Sequence, residues 1–164
     1  MIKKLKIGVS ACLIGLKYRY DGESKINREL IERLAGKVDF IPVCPEVECG
    51  LSVPRPKMRL ETSAKGTRLK EIENGTDHTD EFLSWMEVKL EQIDRMDLAA
   101  FLFKSKSPSC GLSDAKLFLP SGHCASEKAQ GLFAARLTKR FPEMIIGDEL
   151  HLEEFLNKIG LKTE

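Results

Sequence analysis

Short apolar runs alternate with helix-period segments along most of this chain, and that alternation restricts the fold more than any other feature. Leu5-Lys-Ile-Gly-Val-Ser-Ala11 is short, partly β-branched and ends before Gly15 and Asp21-Gly22, so it reads as a buried strand. Asn27 is placed to start a helix with Leu30, Ile31 and Leu34 on one face and Gly36 near its end. Phe40-Ile-Pro-Val43 predicts a second strand, and Pro42 predicts that it lies near an edge. Residues 44 to about 59 carry Pro45, Gly50, Pro54 and Pro56 and read as loop. Residues 59–72 suggest a small hairpin. Thr76 is expected to open a long helix with Phe82, Met86, Leu90 and Ile93 at helical spacing. Leu98–Phe103 is the most hydrophobic run and should be central in the sheet. A polar loop from Lys104 to Ser113, a short strand at Lys116–Leu119, a helix from about Ser126 to Arg140, a strand at 144–146 and a terminal helix capped by Asp148 complete the reading. Strands alternating with helices imply α/β architecture. The expectation is one Rossmann-like domain over residues 1–164, with a mainly parallel sheet flanked by helices.

Composition narrows the function. Of 164 residues, 42% are hydrophobic and 31% charged, which suits an ordinary globular core. The formal net charge is +1, so no nucleic-acid partner is expected from overall charge. No apolar run approaches the roughly 20 residues of a membrane span. The basic start, Met1-Ile-Lys-Lys-Leu-Lys, reads better as lysines at the mouth of a first strand than as a leader. Neither membrane association nor export is therefore expected, and the protein is placed in the cytoplasm.

Five cysteines are present: Cys12, Cys44, Cys49, Cys110 and Cys124. In a reducing compartment they stay free to bind metal, attack substrate or fill core space. In open α/β sheets, ligands bind beyond the carboxyl ends of the strands. Cys12 follows the first strand, Cys44 the second, and Cys110 lies in the loop after the most hydrophobic one. Taken singly, each cysteine suits a core position. Jointly they fall in polar loops at corresponding places of three units, which favours a shared metal centre or a reactive thiol. No histidine falls in those loops, so a metal there would have sulfur ligands only. Soft thiolates select zinc, copper(I) or iron–sulfur clusters. Three thiolates would leave one iron of a four-iron cluster open, and Cys49 could close such a site.

Other signals are absent or subordinate. Six residues separate Cys12 from Arg19, one too many for a phosphatase-type loop. The chain has no Cys-x-x-Cys, no Gly-x-Gly-x-x-Gly and no Walker loop. Glu46, two residues after Cys44, can act as a general acid or base or be a solvated loop charge. Ser105, Ser107 and Ser109 around Pro108 can position substrate or water, or simply form turns. Arg19 and Arg55 can grip a planar polar or anionic ligand, or coat the surface.

Three blocks now stand together: Ser10-Ala-Cys-Leu-Ile-Gly15 with Arg19-Tyr-Asp-Gly22; Val43-Cys-Pro-Glu46 with Gly50-Leu51 and Pro54-Arg55; and Lys104-Ser-Lys-Ser-Pro-Ser-Cys-Gly111. In this order they resemble a bacterial and archaeal family long known as a domain of unknown function, whose characterised members are 2-thiouracil desulfurases. The resemblance spans nearly the whole chain. It implies a [4Fe–4S] cluster on Cys12, Cys44 and Cys110, with the fourth iron taking the thiocarbonyl sulfur of a small thiolated substrate. It implies non-redox replacement of sulfur by water, with Glu46 as acid/base and Ser107 as a catalytic serine. Arg19, Arg55 and Ser109 are then the expected substrate contacts. Some relatives carry a further C-terminal domain, which a chain of this length is not expected to hold. The residues alone leave two rivals: a sensor with a closed four-cysteine zinc or iron–sulfur site, and a metal-free enzyme with one nucleophilic thiol.

Overall fold

A computed structural model describes residues 3–161. Met1, Ile2 and residues 162–164, which the single-domain span included, lie outside the described residues. Among the described residues, eight strands form two four-stranded sheets. The first contains β1 (Leu5–Ser10), β2 (Val38–Val43), β5 (Ala100–Phe103) and β8 (Ile145–Asp148). Its order is β2-β1-β5-β8 and every pairing is parallel. Pro42 does lie on an edge strand, and the most hydrophobic run is central. Helix α1 (Arg28–Leu34) connects β1 to β2, with Asn27 as N-cap accepting from the Leu30 N–H. The short α2 (Pro45–Glu48) follows β2. The long α3 (Thr79–Met96) precedes β5, α4 (Leu132–Arg140) precedes β8, and α5 (Leu152–Lys158) ends the described chain. Among the described residues no helix is long and apolar enough to cross a membrane.

The second sheet adds to the expected parallel one. It contains β3 (Met58–Glu61), β4 (Arg68–Glu71), β6 (Ala115–Phe118) and β7 (Cys124–Ala129), in the order β4-β3-β6-β7. The expected 59–72 hairpin is its antiparallel β3–β4 pair, while β3 and β6 run parallel.

Three boundaries differ from the sequence expectation. Residues 126–129 are strand, and the helix begins only at Leu132. β7 is an edge strand with no buried residue, so it carries no alternating apolar signal. The long helix starts at Thr79, because residues 76–78 extend the β4 ladder instead. The Glu71 N–H donates to Thr76 O and the His78 N–H to Leu69 O. The stretch from Cys44 is not all loop, since Pro45 is favourable at the first position of a helix.

Apolar packing covers both faces of the parallel sheet. On one face Ile7, Val9 and Leu102 meet Leu30 and Leu34 of α1 and Phe155 and Leu156 of α5. On the other, Phe101 and Phe103 meet α3, α4 and the inner residues Met58, Leu60 and Leu69 of the second sheet. Phe101 and Phe103 stack at 4.4 Å, with Phe133 edge-on to both. Gly8, the cross-strand partner of Phe101, is needed here. A Cβ on it would lie 2.2 Å from the Phe101 ring.

Candidate active site

Parallel strands deliver their following loops to one edge. Register pairs Ser10 with Val43, so the segments after β1 and β2 leave side by side. Cys12 sits in a 3-10 turn at Ala11–Ile14, closed by Gly15 in the left-handed region at φ 96°. The Cys12 carbonyl accepts from the Gly15 and Lys25 N–H groups at 3.3 and 3.0 Å. Cys44 is the N-cap of α2. Its N–H donates to Glu48 Oε2 at 2.9 Å, and Glu48 Oε1 is held by the largely buried Lys89 of α3 at 2.7 Å. Cys110 is buried in the loop after β5. Ser107 Oγ accepts from the Ser109 and Cys110 N–H groups at 3.2 and 3.1 Å, which folds that loop around Pro108.

These segments enclose a cavity of about 260 Å³ lined by Cys12, Cys44, Cys110, Glu46, Arg19, Arg55 and Ser107. Cys49 is not among the residues lining it, and its thiol instead meets Glu46 O at 3.3 Å. Cys124 is exposed on β7, well away in the sheet order.

Glu46 reaches the cavity already braced. Arg55 Nε donates to Oε1 at 3.0 Å and Ser109 Oγ donates to Oε2 at 2.9 Å. The Arg55 side chain is 5% exposed. Its Nη1 and Nη2 donate to Ser52 O and Tyr18 O. Arg55, expected to grip substrate, lines the cavity and also holds Glu46. Ser109, expected at the substrate, is buried and bonded to the same carboxylate. Arg19 lines the cavity with its guanidinium paired to Asp21 at 3.2 Å.

Sequence reading missed a buried brace behind the cavity. Lys104 Nζ, Ser105 Oγ and the Ser105 N–H all bond Glu149, at 2.8, 2.6 and 2.8 Å. Burial pushes the Glu149 carboxyl up, but the bonds from Lys104 and Ser105 outweigh it and hold the group below its ordinary value. Lys104 and Ser105 stand inside a recognisable motif. Glu149 carried no signal, because 44 residues separate it from Ser105 along the chain.

The thiols themselves are poor acids here. Burial pushes Cys12 up to about 11, with Lys104 opposing and Cys44 adding to the rise. Cys44 is also raised by burial. Cys110 is raised furthest, by burial, against a hydrogen bond from Ser10 and with further rises from Cys44 and Cys12. Without a cation such thiols stay protonated at neutral pH. A lone nucleophilic thiolate needs the opposite shift, whereas a soft metal centre takes thiolates by displacing protons. Among the described residues no three His, Cys, Asp or Glu side chains are grouped to hold a single metal ion. Three sulfur donors around one cavity fit a larger soft-metal group with an open position better than a closed mononuclear site.

Such an edge brings three cysteines and a braced carboxylate of an α/β fold to one cavity. The family model for 2-thiouracil desulfurase matches residues 7–149. The chain belongs to that family, a class of enzymes acting on carbon–sulfur bonds. Among solved structures it is similar to one described as a [4Fe–4S]-dependent thiouracil desulfidase, TudS, at 31% identity and a TM-score of 0.76. That similarity covers 96% of this chain and 99% of the other. Comparison with curated proteins finds no match.

Proposed function

We propose that the protein desulfurates a small thiolated nucleobase such as 2-thiouracil, with a [4Fe–4S] cluster held by Cys12, Cys44 and Cys110. The observation that carries this reading is the meeting of those three thiols and Glu46 on one cavity. When bound, the cluster supplies an open iron position that accepts sulfur as a Lewis acid. The chain's own residues handle the water. Glu46, its two oxygens fixed by Arg55 and Ser109, takes a proton from water as the water oxygen bonds to the thiocarbonyl carbon. The carbon–sulfur bond then breaks as the carbonyl forms, the remaining hydroxyl proton goes with the sulfur, and sulfur leaves at the sulfide level with no electron gained or lost. Ser107 has both lone pairs engaged by backbone N–H groups, so its O–H remains to donate into the cavity. Arg19 flanks the mouth and can meet the polar edge of the base. The core shared by the two sheets supports one cluster-binding unit, and free thiols suit a reducing cytoplasm.

The test is anaerobic purification with iron and sulfide analysis, followed by desulfuration of 2-thiouracil. Glu46→Gln should keep the cluster and its substrate binding, yet lose turnover by about 10²- to 10⁴-fold. Turnover at the parent rate with an intact cluster would remove Glu46 as the proton carrier.

A further inference from the structure

Two of the three thiols are placed by their strands, and the third is not. Cys44 follows β2 directly and Cys12 stands two residues past β1, but Cys110 lies seven residues past β5. Something other than β5 must set its position.

Helix α4 has no side-chain cap, because its N-cap is Gly131. Its first N–H groups are nevertheless all engaged. Gly131 N–H donates to Gly111 O at 2.7 Å, Leu132 N–H to Pro108 O at 3.1 Å, and the Phe133 and Ala134 N–H groups to Ser109 O at 3.0 and 3.1 Å. Every acceptor belongs to the loop that carries Cys110. The helix thus finds its missing cap in the cysteine loop, and the loop finds its anchor in the helix. The fit is close. A Cβ on Gly131 would lie 2.4 Å from Ser109 C, 2.6 Å from Ser109 O and 2.7 Å from Cys110 N. These are backbone atoms, which cannot swing aside as a side chain does. Gly131 has φ −60° and ψ 149°, a conformation open to any residue, so space alone requires glycine here.

We propose that Gly131 and the first turn of α4 are the positioning element for Cys110, fixing where its thiol stands relative to Cys12 and Cys44. The inference rests on reading Cys110 as a cluster ligand. Changes to groups that orient a metal ligand typically cost on the order of 10- to 100-fold in metal affinity.

The experiment compares full-length variants reconstituted anaerobically. Its readouts are iron per folded chain, the cluster's absorbance and paramagnetic resonance, and the rate at which a chelator strips iron. Gly131→Ala should strip on the order of 10- to 100-fold faster with an altered cluster spectrum. Leu132→Pro tests the same contact without crowding Gly131, and decides the matter if Gly131→Ala does not fold. Proline is favoured at the first helical position, and ψ of Gly131 suits the residue before proline. This change deletes only the bond to Pro108 O and should likewise lose iron, while Leu132→Ala, which keeps that N–H, should not. Leu137→Ala unsettles the same helix from its buried face; it should lower the melting temperature yet keep the parent spectrum and stripping rate. The proposal is overturned if Gly131→Ala or Leu132→Pro folds and holds iron like the parent while Cys110→Ala loses it. It is equally overturned if Leu137→Ala sheds iron as fast as they do. Full iron in Cys110→Ala would instead overturn the ligand reading beneath it.

Discussion

Both sheets contribute to the buried core, yet only one of them gathers chemistry. The β2-β1-β5-β8 sheet is entirely parallel, so the chain leaves every strand at the same edge. Loops far apart in sequence must meet there. The β4-β3-β6-β7 sheet is mostly antiparallel, so its turns are shared between two ends. Glu61 bonds Arg59 two residues away on its own strand and Lys70 on the neighbouring β4, at 3.1 and 3.0 Å. That is an ion-paired cluster around a buried carboxylate. The second sheet still contributes to the cavity, since Met58, the first residue of β3, and Lys57 just before it line it. Strand direction, rather than residue content, separates a working edge from a supporting one.

The sharpest way to break this contrast is to remove thiols from each sheet. Cys12→Ala, Cys44→Ala and Cys110→Ala should each lose the bound iron almost completely, whereas Cys124→Ala of β7 should keep it. Iron and sulfide analysis after anaerobic purification decides, and full iron in all three site variants would erase the distinction.

The supporting role of the second sheet is tested by stability. Leu60 is fully buried in the shared core. Leu60→Ala should cost about 2–5 kcal/mol, read as a lower denaturation midpoint. The chain that remains folded should still bind iron as the parent does. A folded but iron-free variant would mean that the second sheet shapes the site directly.

A smaller effect is expected where β4 meets α3. Burial pushes the Asp77 carboxyl up, but bonds from Arg68 and Thr79 prevail and bring it to about 2. A folded pKa below the unfolded one stabilises the fold above the unfolded value of roughly 4. That contribution fades as pH falls toward about 2. Asp77→Asn should therefore lower the midpoint modestly at neutral pH and flatten its fall in acid, without changing turnover. Denaturation curves at several pH values check both.

The least change of all should come from Cys49→Ser. The Cys49 thiol faces Glu46 O rather than the cavity, and a hydroxyl can make the same bond. Iron content and rate should match the parent. Loss of the cluster would revive the closed four-thiolate site.

Much of this arrangement was legible in the residues. Asn27 as a cap, Pro42 on an edge, the central Leu98–Phe103 run and the spacing of Phe82, Met86, Leu90 and Ile93 are local signals that the structure repeats. The three blocks around Cys12, Cys44 and Cys110 announced a shared site because each follows a strand. What failed was also local. β7 carries polar, exposed residues and so lacks the alternation that marks a strand. Thr76 looked like a helix start because nothing nearby reveals that residues 76–78 pair back onto β4.

The sequence by itself determined the periodicity of most elements, the place of a cysteine after each of three strands and the placing of Glu46 two residues from a thiol. Only the tertiary structure decided which partners those residues meet. It gave Arg55 and Ser109 a shared partner in Glu46, and it brought Glu149 to Lys104 and Ser105. It also set the start of α4 against Cys110. The physical reason is that a hydrogen bond or a close backbone approach leaves no periodic trace. Both are fixed by the folded path of the chain, which brings together groups that sequence keeps apart.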